Sequence, residues 1–325
     1  MSLNQVRYIQ AINQALRDSM LEDERVMVMG EDIADAGGSF KATRSLLDEF
    51  GQERVIDTPI SEASLVSAGV GAALTGMKPV VEIMFMDFIT LAMDALVNQA
   101  AKARFMFGAQ GSVPMVLRTP HGGGLNAGPQ HSQCLEAWFA HIPGLKVVCP
   151  SNPQDAYSLL RAAIADPDPV IFVEHKASYA TRGELDTSLV ASIGEARIVR
   201  PGKDVTLITY GKTTGVCEQA AQELLEQGID CEVIDLRSIQ PWDKKTVLES
   251  LSRTHRAVVV HEAVQAFGVG AEIVATLMDE GFDELDAPVV RVGAPFMPVP
   301  FASSLEKAYA VNTSDVVKAV QKIVV

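Results

Sequence analysis

Short apolar runs alternate with segments of helical periodicity along the first half of the chain. The runs are rich in β-branched residues and are hardly interrupted by polar ones, which is typical of parallel strands buried on both faces. They lie at 25–30, 54–58, 78–85, 112–119, 145–150 and 168–174. Segments with apolar residues every three to four positions predict helices at 5–22, 42–50, 61–75, 87–105, 132–141 and 152–165. The alternation predicts a doubly wound α/β sheet.

The same alternation returns near the end of the chain, after a stretch in which it weakens. Predicted strands lie at 205–211, 230–237, 256–262 and 288–293, and predicted helices at 213–227, 244–253, 269–280 and 314–323. Between the two series the periodicity is weak, which indicates a crossover linker with some extended structure. The sequence therefore predicts two doubly wound α/β domains, at 1–180 and 204–325, joined by a linker at 181–203.

Composition narrows the class of protein. Hydrophobic residues make up 48% and charged residues 21% of the 325 residues, which fits a globular chain with a large core. The formal net charge of −14 argues against a nucleic-acid partner, because phosphate binding needs a basic patch.

The four cysteines form no metal-binding or disulfide pattern, and scattered thiols favour a reducing compartment. No apolar run has the length of a membrane span, and the first twenty residues do not resemble a signal peptide. We expect a soluble, cytoplasmic protein with no membrane partner.

An acid stands at an unusual place in "VIDTPISEASL". Asp57 ends a predicted strand, Ser61 can cap the next helix, and Glu62 falls in its first turn. An acid there stabilises a helix through the dipole by about 0.3–1 kcal/mol, which is a sufficient structural explanation. However, the composition of the helix predicts burial all round, so the carboxyl would be desolvated and suited to proton transfer.

A glycine-rich loop follows the strand that ends near Thr119. The segment "TPHGGGLNAGPQHSQ" carries His121 and His131, and a loop of this length in a compact domain is often functional. The alternative is a solvated loop with incidental histidines. "HGGG" also occurs in lipase oxyanion holes, but those enzymes need a G-x-S-x-G nucleophile elbow, which the sequence lacks.

Several long motifs, in this order, resemble a single family. They are "VIDTPISEA", "MDFITLAMDALVNQAAKARFMFG", "AGPQHSQ", "HIPGLKVVCPSNPQDAYSLLRAAI", "DPVIFVE" and "GIDCEVIDLRSIQPWD". The family is the beta subunit of the thiamine diphosphate-dependent decarboxylating component of 2-oxo acid dehydrogenase complexes. The resemblance covers nearly the whole chain. "TPISEA", "MFMDF", "RFMFG" and "PVPF" are most similar to the pyruvate and acetoin members, and the branched-chain members match less well.

The resemblance implies a transketolase-like fold, with a pyrimidine-binding first domain and a transketolase C-terminal second domain. It places the family's essential glutamate on Glu62, which hydrogen-bonds a ring nitrogen of the cofactor's aminopyrimidine. Phe88, in "EIMFMDF", matches the aromatic residue that packs on that ring, and Met84 falls on the neighbouring wall. Considered alone, an aromatic residue at this position is more often part of the core. His131 matches a histidine near the substrate and the lipoyl group, whereas His121 has no shared role.

Some relatives hold a potassium ion through backbone carbonyls of this subunit. The corresponding positions are Met115, Ala163, Ile164, Asp166 and Asp168. Carbonyl oxygens suit a hard cation. The segment Pro167–Asp168–Pro169, which surrounds one of these positions, has a different sequence in some members of the family.

One family motif is absent from the sequence. Thiamine enzymes hold magnesium and diphosphate with G-D-G…N-N, which does not occur here. We therefore expect a separate alpha subunit to supply that half of the site, in a heterotetramer of two alpha and two beta chains. The second domain would dock subunits and the dihydrolipoyl acyltransferase core.

The implied activity is decarboxylation of a 2-oxo acid such as pyruvate, or cleavage of acetoin, with reductive acyl transfer to lipoamide. The substrate stays open, because these small molecules differ by small pocket changes. A branched-chain 2-oxo acid dehydrogenase beta subunit is one alternative. A non-catalytic docking subunit is another, although Glu62 and His131 are both present.

Overall fold

The computed structural model describes residues 4–324, which form two compact units. The first comprises 4–121 and 138–193, and the second comprises 122–137 and 194–324. The glycine-rich loop thus belongs to the second unit, although it lies between strands of the first in chain order. The domain boundaries proposed above at 180 and 203 stay predictions.

The strands of the first unit are β1 (Asn4–Arg7), β2 (Val26–Gly30), β3 (Val55–Asp57), β4 (Lys78–Glu82), β5 (Val116–His121), β6 (Lys146–Val148), β7 (Val170–His175) and β8 (Arg182–Leu185). Six of them form parallel pairs in the order β6-β7-β5-β4-β2-β3. A separate antiparallel pair joins β1 and β8. All six predicted strands are confirmed, and β2, β5 and β7 are buried along their whole length, as parallel strands between helical layers should be.

The helices of this unit follow the predicted segments, with shorter bounds. They are α1 (Tyr8–Glu22), α2 (Leu46–Phe50), α3 (Glu62–Leu74), α4 (Ala101–Met106) and α6 (Pro153–Ala165), while α5 (Glu136–Ala140) begins in 122–137 and ends in 138–193. Asn152 caps α6 as predicted: its side chain accepts the N–H of Asp155 at 3.0 Å, and Pro153 occupies the first helical position.

The helix predicted at 87–105 is not one regular α-helix. It consists of a 3₁₀ segment at Met86–Ala92, a π-helical segment at Ala95–Ala100 and then α4. The Thr90 hydroxyl donates to the carbonyl of Asp87 at 2.8 Å. Such a side-chain bond competes with the backbone ladder, which the apolar periodicity alone does not reveal.

Two expectations about α3 are wrong. The helix is not buried all round: Leu65, Val66 and Gly69 lie inside, whereas Ser64 and Gly71 face outward. Its small residues concealed the difference between the two faces. Gly69 permits close packing on the inner face, since a Cβ there would lie 2.7 Å from the Val81 side chain.

The second error concerns the cap of this helix. The Ser61 hydroxyl does not accept a backbone N–H; instead, it donates to the Ser64 hydroxyl at 3.0 Å. With φ of −163° and ψ of 85°, Ser61 is extended, and its backbone N–H donates to the Glu31 carboxylate.

The strands of the second unit are β9 (Arg197–Arg200), β10 (Val205–Thr209), β11 (Cys231–Asp235), β12 (Ser238–Gln240), β13 (Ala257–Val264) and β14 (Val290–Ala294). All of these except β12 form a sheet of order β14-β13-β10-β11-β9, which is parallel except for β9. The helices are α7 (Thr213–Leu225), α8 (Lys244–Thr254), α9 (Val269–Glu280), α10 (Ser303–Tyr309) and α11 (Thr313–Gln321). The predicted α/β series is confirmed, and the extended structure expected in the linker appears as β8 and β9. The short β12 and α10 were not predicted.

Each unit has its own apolar core. In the first, Tyr8, Ile12 and Leu16 of α1 pack with Leu159 and Leu160 of α6. In the second, residues of α7 and α11 cover the strands. Across residues 4–324, no helix is both long and apolar enough to cross a membrane.

Candidate active site

Three neighbouring parallel strands of the first unit end at the same level. Gly30 at the end of β2 pairs with Asp57 of β3 on one side and with Glu82 of β4 on the other. In open α/β sheets, ligands bind beyond this carboxyl edge. Glu31 directly follows β2, and Glu62 follows β3 at the head of α3. The edge therefore brings two acids together.

Glu62 is almost completely buried, with 6% of its surface exposed. It lies in the first turn of α3, where the positive end of the helix dipole stabilises an anion. No hydrogen-bond donor within residues 4–324 contacts its carboxylate. A buried carboxylate with open acceptors is suited to receive a donor from a ligand.

Glu31 is a second acid of this site, and sequence reasoning missed it. It is 4% exposed, and its carboxylate accepts the backbone N–H of Ser61. Its Oε1 atom is buried and has no hydrogen-bond partner in the described part of the chain. Burial raises the pKa of Glu31, and the nearby Glu62 charge raises it further.

A signal for Glu31 was present in the sequence. "VMVMGED" places an acid immediately after a fully apolar strand, which is the same pattern that drew attention to Glu62. Two acids at neighbouring strand ends predict a shared site only if the two strands are neighbours in the sheet. That pairing is decided by the fold.

Met84 and Phe88 follow β4 along the same edge, and both are half-buried. The Phe88 ring packs edge-on against Phe85, with ring centroids 5.9 Å apart and an interplanar angle of 83°. Phe85 packs in the same way on Phe40, at 5.8 Å. Phe88 is thus held by aromatic neighbours and still presents part of its surface.

Behind the edge lies a buried ion-pair network that sequence reasoning also missed. The Arg118 guanidinium donates to Glu82 at 2.7 Å and to both oxygens of Glu174 at 2.7 and 2.9 Å. The Tyr179 hydroxyl donates to Glu174 at 2.8 Å. Burial opposes the charge on Arg118, but Glu174 and Glu82 outweigh it and raise the pKa of Arg118. Burial also raises the pKa of Glu82, although Arg118 counteracts this.

The two histidines of the glycine-rich segment belong to different units. His121 ends β5 in the first unit, where its buried ring contacts the ring of His175, with centroids 5.3 Å apart, and lies 3.8 Å from the Cys149 sulfur. His131 belongs to the second unit and is half-buried. Its backbone N–H donates to the Gly128 carbonyl at 3.4 Å.

A cavity of about 520 Å³ lies in the second unit, next to His131 in sequence. Its walls include Gln130, Ser132, Cys134, Glu262, Phe296 and Tyr309. Burial raises the pKa of Tyr309 to about 12, so this hydroxyl stays protonated at neutral pH and acts as a donor. The cavity combines an apolar wall with a few polar groups, which is typical of a small-molecule pocket.

The positions matched to potassium ligands lie around the turn between α6 and β7. Ala163 and Ile164 belong to the last turn of α6, and the Ala163 carbonyl accepts the N–H of Asp166 at 3.3 Å. The Met115 carbonyl already accepts the N–H of Val170 at 3.0 Å. This oxygen-rich turn suits a hard cation.

The two acids among these positions are engaged with cationic side chains. Asp166 lies 2.5 Å from the Lys146 ammonium, and Asp168 lies 2.5 Å from the Arg104 guanidinium. A metal ion at this turn would therefore rely on backbone carbonyls, as the resemblance implied. Whether an ion binds there stays a prediction.

The fold and this edge define a class of protein. The family model "Transketolase, pyrimidine binding domain" matches residues 4–181, and "Transketolase, C-terminal domain" matches residues 194–316. A solved structure described as "Split gene transketolase, inactive beta4 tetramer" has a TM-score of 0.82, covers 98% of both chains and is 22% identical. That likeness confirms the transketolase-like fold.

Curated relatives narrow the class. The pyruvate dehydrogenase E1 component subunit beta-1 of Arabidopsis thaliana is 45% identical, over 95% of this chain and 86% of its own length. The beta subunit of acetoin:2,6-dichlorophenolindophenol oxidoreductase of Bacillus subtilis is 45% identical, over 92% and 91%. The 2-oxoisovalerate dehydrogenase subunit beta of the same organism is 42% identical, over 97% and 98%. The chain belongs to the family of E1 beta subunits of 2-oxo acid and acetoin dehydrogenases, as its motifs predicted.

Proposed function

We propose that this chain is the catalytic beta subunit of a thiamine diphosphate-dependent 2-oxo acid or acetoin dehydrogenase. The observation that carries the proposal is the Glu62 carboxylate, buried at the head of α3 with its acceptors open. The names of the relatives support the same activity. The reaction would decarboxylate a 2-oxo acid, or cleave acetoin, and pass the acyl group to lipoamide.

The carboxyl edge fits the aminopyrimidine half of thiamine diphosphate. Glu62 would accept a hydrogen bond from a ring nitrogen, and the partly exposed Phe88 and Met84 would line the planar ring. The Glu31 carboxyl, whose pKa is raised by burial and then by the Glu62 charge, lies beside Glu62. When bound, the cofactor supplies a thiazolium carbon that attacks the substrate carbonyl and accepts the electron pair released with carbon dioxide.

This chain would contribute buried acids that hold or share a proton with the cofactor in a site shielded from water. Glu62 holds or shares a proton at the pyrimidine nitrogen, and burial strengthens that bond relative to water. Glu31 disfavours a second full negative charge at the same place. Together, the two acids favour a ligand that brings a proton to the site.

His131 would act later in the sequence of steps. An imidazole can move a proton or stabilise negative charge near neutral pH. We assign His131 to acyl transfer to the incoming lipoyl group, a step in which a proton moves and negative charge develops.

The diphosphate half of the cofactor would lie on an alpha subunit that also holds the magnesium ion. We propose a heterotetramer of two alpha and two beta chains, bound to a dihydrolipoyl acyltransferase core. Potassium at the turn between α6 and β7 belongs to the same proposal. The cytoplasmic location stays a prediction.

The substrate class is a short 2-oxo acid or acetoin. Relatives named for pyruvate and acetoin are each 45% identical, and the one named for 2-oxoisovalerate is 42% identical. One methylene group changes binding by only about 1–3 kcal/mol, so such differences in identity do not separate these substrates.

The first experiment is calorimetric titration of thiamine diphosphate and magnesium into this chain, alone and with its co-expressed alpha subunit. We expect binding only with the partner, because half of the cofactor site lies there. Tight binding to the isolated chain would overturn the half-site proposal. Absence of binding to the assembled complex would overturn the cofactor assignment itself.

A further inference from the structure

The glycine-rich loop of the second unit has an unusual backbone. Gly122, Gly124, Asn126 and Gly128 all adopt positive φ, at 83°, 95°, 55° and 74°. Such a path directs successive backbone N–H groups outward instead of into a ladder, and these donors need acceptors. Where those acceptors come from decides how firmly the loop is held.

Two glutamates from distant parts of the chain supply them. Glu306 of α10 accepts the N–H of Gly124 at 2.9 Å with one carboxylate oxygen and that of Asn126 at 3.1 Å with the other. Glu262 of β13 accepts the N–H of Gly123 at 2.7 Å. We name this set of three bonds the carboxylate clamp. Charge-assisted bonds of this kind are roughly twice as strong as neutral ones.

Glu306 serves the clamp alone. It is 5% exposed, and within residues 4–324 the two loop amides are the only donors to its carboxylate. A buried carboxylate is costly unless it is hydrogen-bonded. The loop amides therefore compensate the cost of burying the Glu306 carboxylate. The same two bonds hold the backbone of the loop in its path.

A contact between Phe301 and Gly128 restrains the part of the loop next to His131. A Cβ on Gly128 would lie 2.2 Å from the Phe301 ring, so the ring seats directly on the backbone of this glycine. The Gly128 carbonyl accepts the backbone N–H of His131 at 3.4 Å. Phe301 belongs to "PVPF" and Gly128 to "AGPQHSQ", two motifs of the sequence that the fold brings into contact.

We propose that Glu306, assisted by Glu262, is a positioning residue for the acyl-transfer step. By binding the amides of the glycine-rich loop, the carboxylate clamp fixes the loop whose far end carries His131. This rests on the proposed role of His131. Glu306 touches no reacting group and acts only through the loop.

The test uses the complex assembled with its alpha subunit and three variants of this chain. Glu306→Gln replaces one acceptor oxygen by an amide donor that would face a backbone N–H, so one bond of the clamp is lost. Glu306→Asp keeps the charge with a shorter reach. Lys307→Gln, an exposed neighbour on the same helix, is the matched control.

Two readouts are taken for each variant. Hydrogen exchange of the peptide spanning residues 122–131 reports on the loop. The ratio of lipoyl acyl transfer to decarboxylation, the latter followed with an artificial electron acceptor, reports on positioning. A role limited to folding would lower both half-reactions together and leave this ratio unchanged.

For Glu306→Gln we expect faster exchange in the loop and a transfer-to-decarboxylation ratio lowered about tenfold, the size expected for one lost charge-assisted bond. Glu306→Asp should recover part of the ratio, and Lys307→Gln should match the wild type. If Glu306→Gln fails to assemble, Glu306→Asp alone decides, with a ratio lowered about threefold or more expected.

His131→Ala, measured beside them, separates the two levels of inference. If His131→Ala lowers the ratio but neither Glu306 variant changes it, the clamp proposal is overturned and the role of His131 stands. If His131→Ala also leaves the ratio unchanged, the proposed function of His131 fails first.

Discussion

Buried glutamates serve opposite purposes in the two units. At the strand edge of the first unit, Glu62 and one oxygen of Glu31 have no donor among the described residues. In the second unit, both oxygens of Glu306 are taken by backbone amides. The two groups are buried to nearly the same extent, so burial does not separate them. What separates them is whether acceptors are left open for something outside the chain.

The first unit contains its own counterexample. Glu82 and Glu174 are also buried in this unit, but Arg118 and Tyr179 supply donors to them. Arg118 compensates the charge of these acids within the fold. A buried acid is therefore a candidate catalytic group only after its partners have been counted.

The largest effect should come from removing the open acid. We expect Glu62→Gln to lower turnover of the assembled complex by about 10²–10⁴-fold, because the amide keeps the shape of the side chain but cannot hold the proton. Steady-state assays with the alpha subunit measure it, and Glu24→Gln, an exposed acid, is the control. Retention of more than a few per cent of activity, in a complex that assembles, would contradict the role given to Glu62.

Removing the cation of the closed network should act on stability instead. Arg118→Met leaves Glu82 and Glu174 buried without their partner, and we expect it to reduce the free energy of unfolding by about 3–5 kcal/mol. Denaturant unfolding measures this loss. Adding Glu82→Gln and Glu174→Gln to the same chain should recover part of it. A loss below about 1 kcal/mol would mean that the network is not what neutralises these acids.

Replacement of His131 should lower acyl transfer more than decarboxylation. We expect His131→Ala to lower lipoyl acyl transfer by about 10²-fold, with folding and assembly unchanged. Single-turnover transfer to lipoamide measures it, and thermal unfolding checks the fold. Wild-type transfer kinetics would refute the assignment.

The smallest effect concerns the neighbour of the open acid. The pKa of Glu31 is raised by burial and then by Glu62, so the folded state holds this proton to a higher pH than the unfolded state does. The stability of the chain should therefore fall as pH rises from the ordinary glutamate pKa to the raised one, and stay lower above it.

Glu31→Gln removes that loss, and we expect the variant to unfold at a higher temperature than the wild type at pH 7. The difference should vanish below the ordinary glutamate pKa, where both chains are neutral at this position. Melting curves of the two chains across pH measure it. A difference independent of pH would show that burial of the Glu31 charge is not its cause.

The sequence by itself determined the alternation of strands and helices, the cap at Asn152 and the place of Glu62 at the head of a helix. These features depend on neighbours within a few positions, so periodicity and local hydrogen bonding express them directly. The motifs alone also identify the family.

Only the tertiary structure decided which acids meet and which are neutralised. Glu31 joins Glu62 because β2 and β3 are adjacent, Arg118 lies 56 positions from Glu174, and Glu306 lies 182 positions from Gly124. The exposure of one face of α3 also could not be predicted from the sequence, since its small residues form no strong polar pattern. Contacts of this kind depend on strand order and packing, and no local pattern of residues encodes the partner of a buried charge.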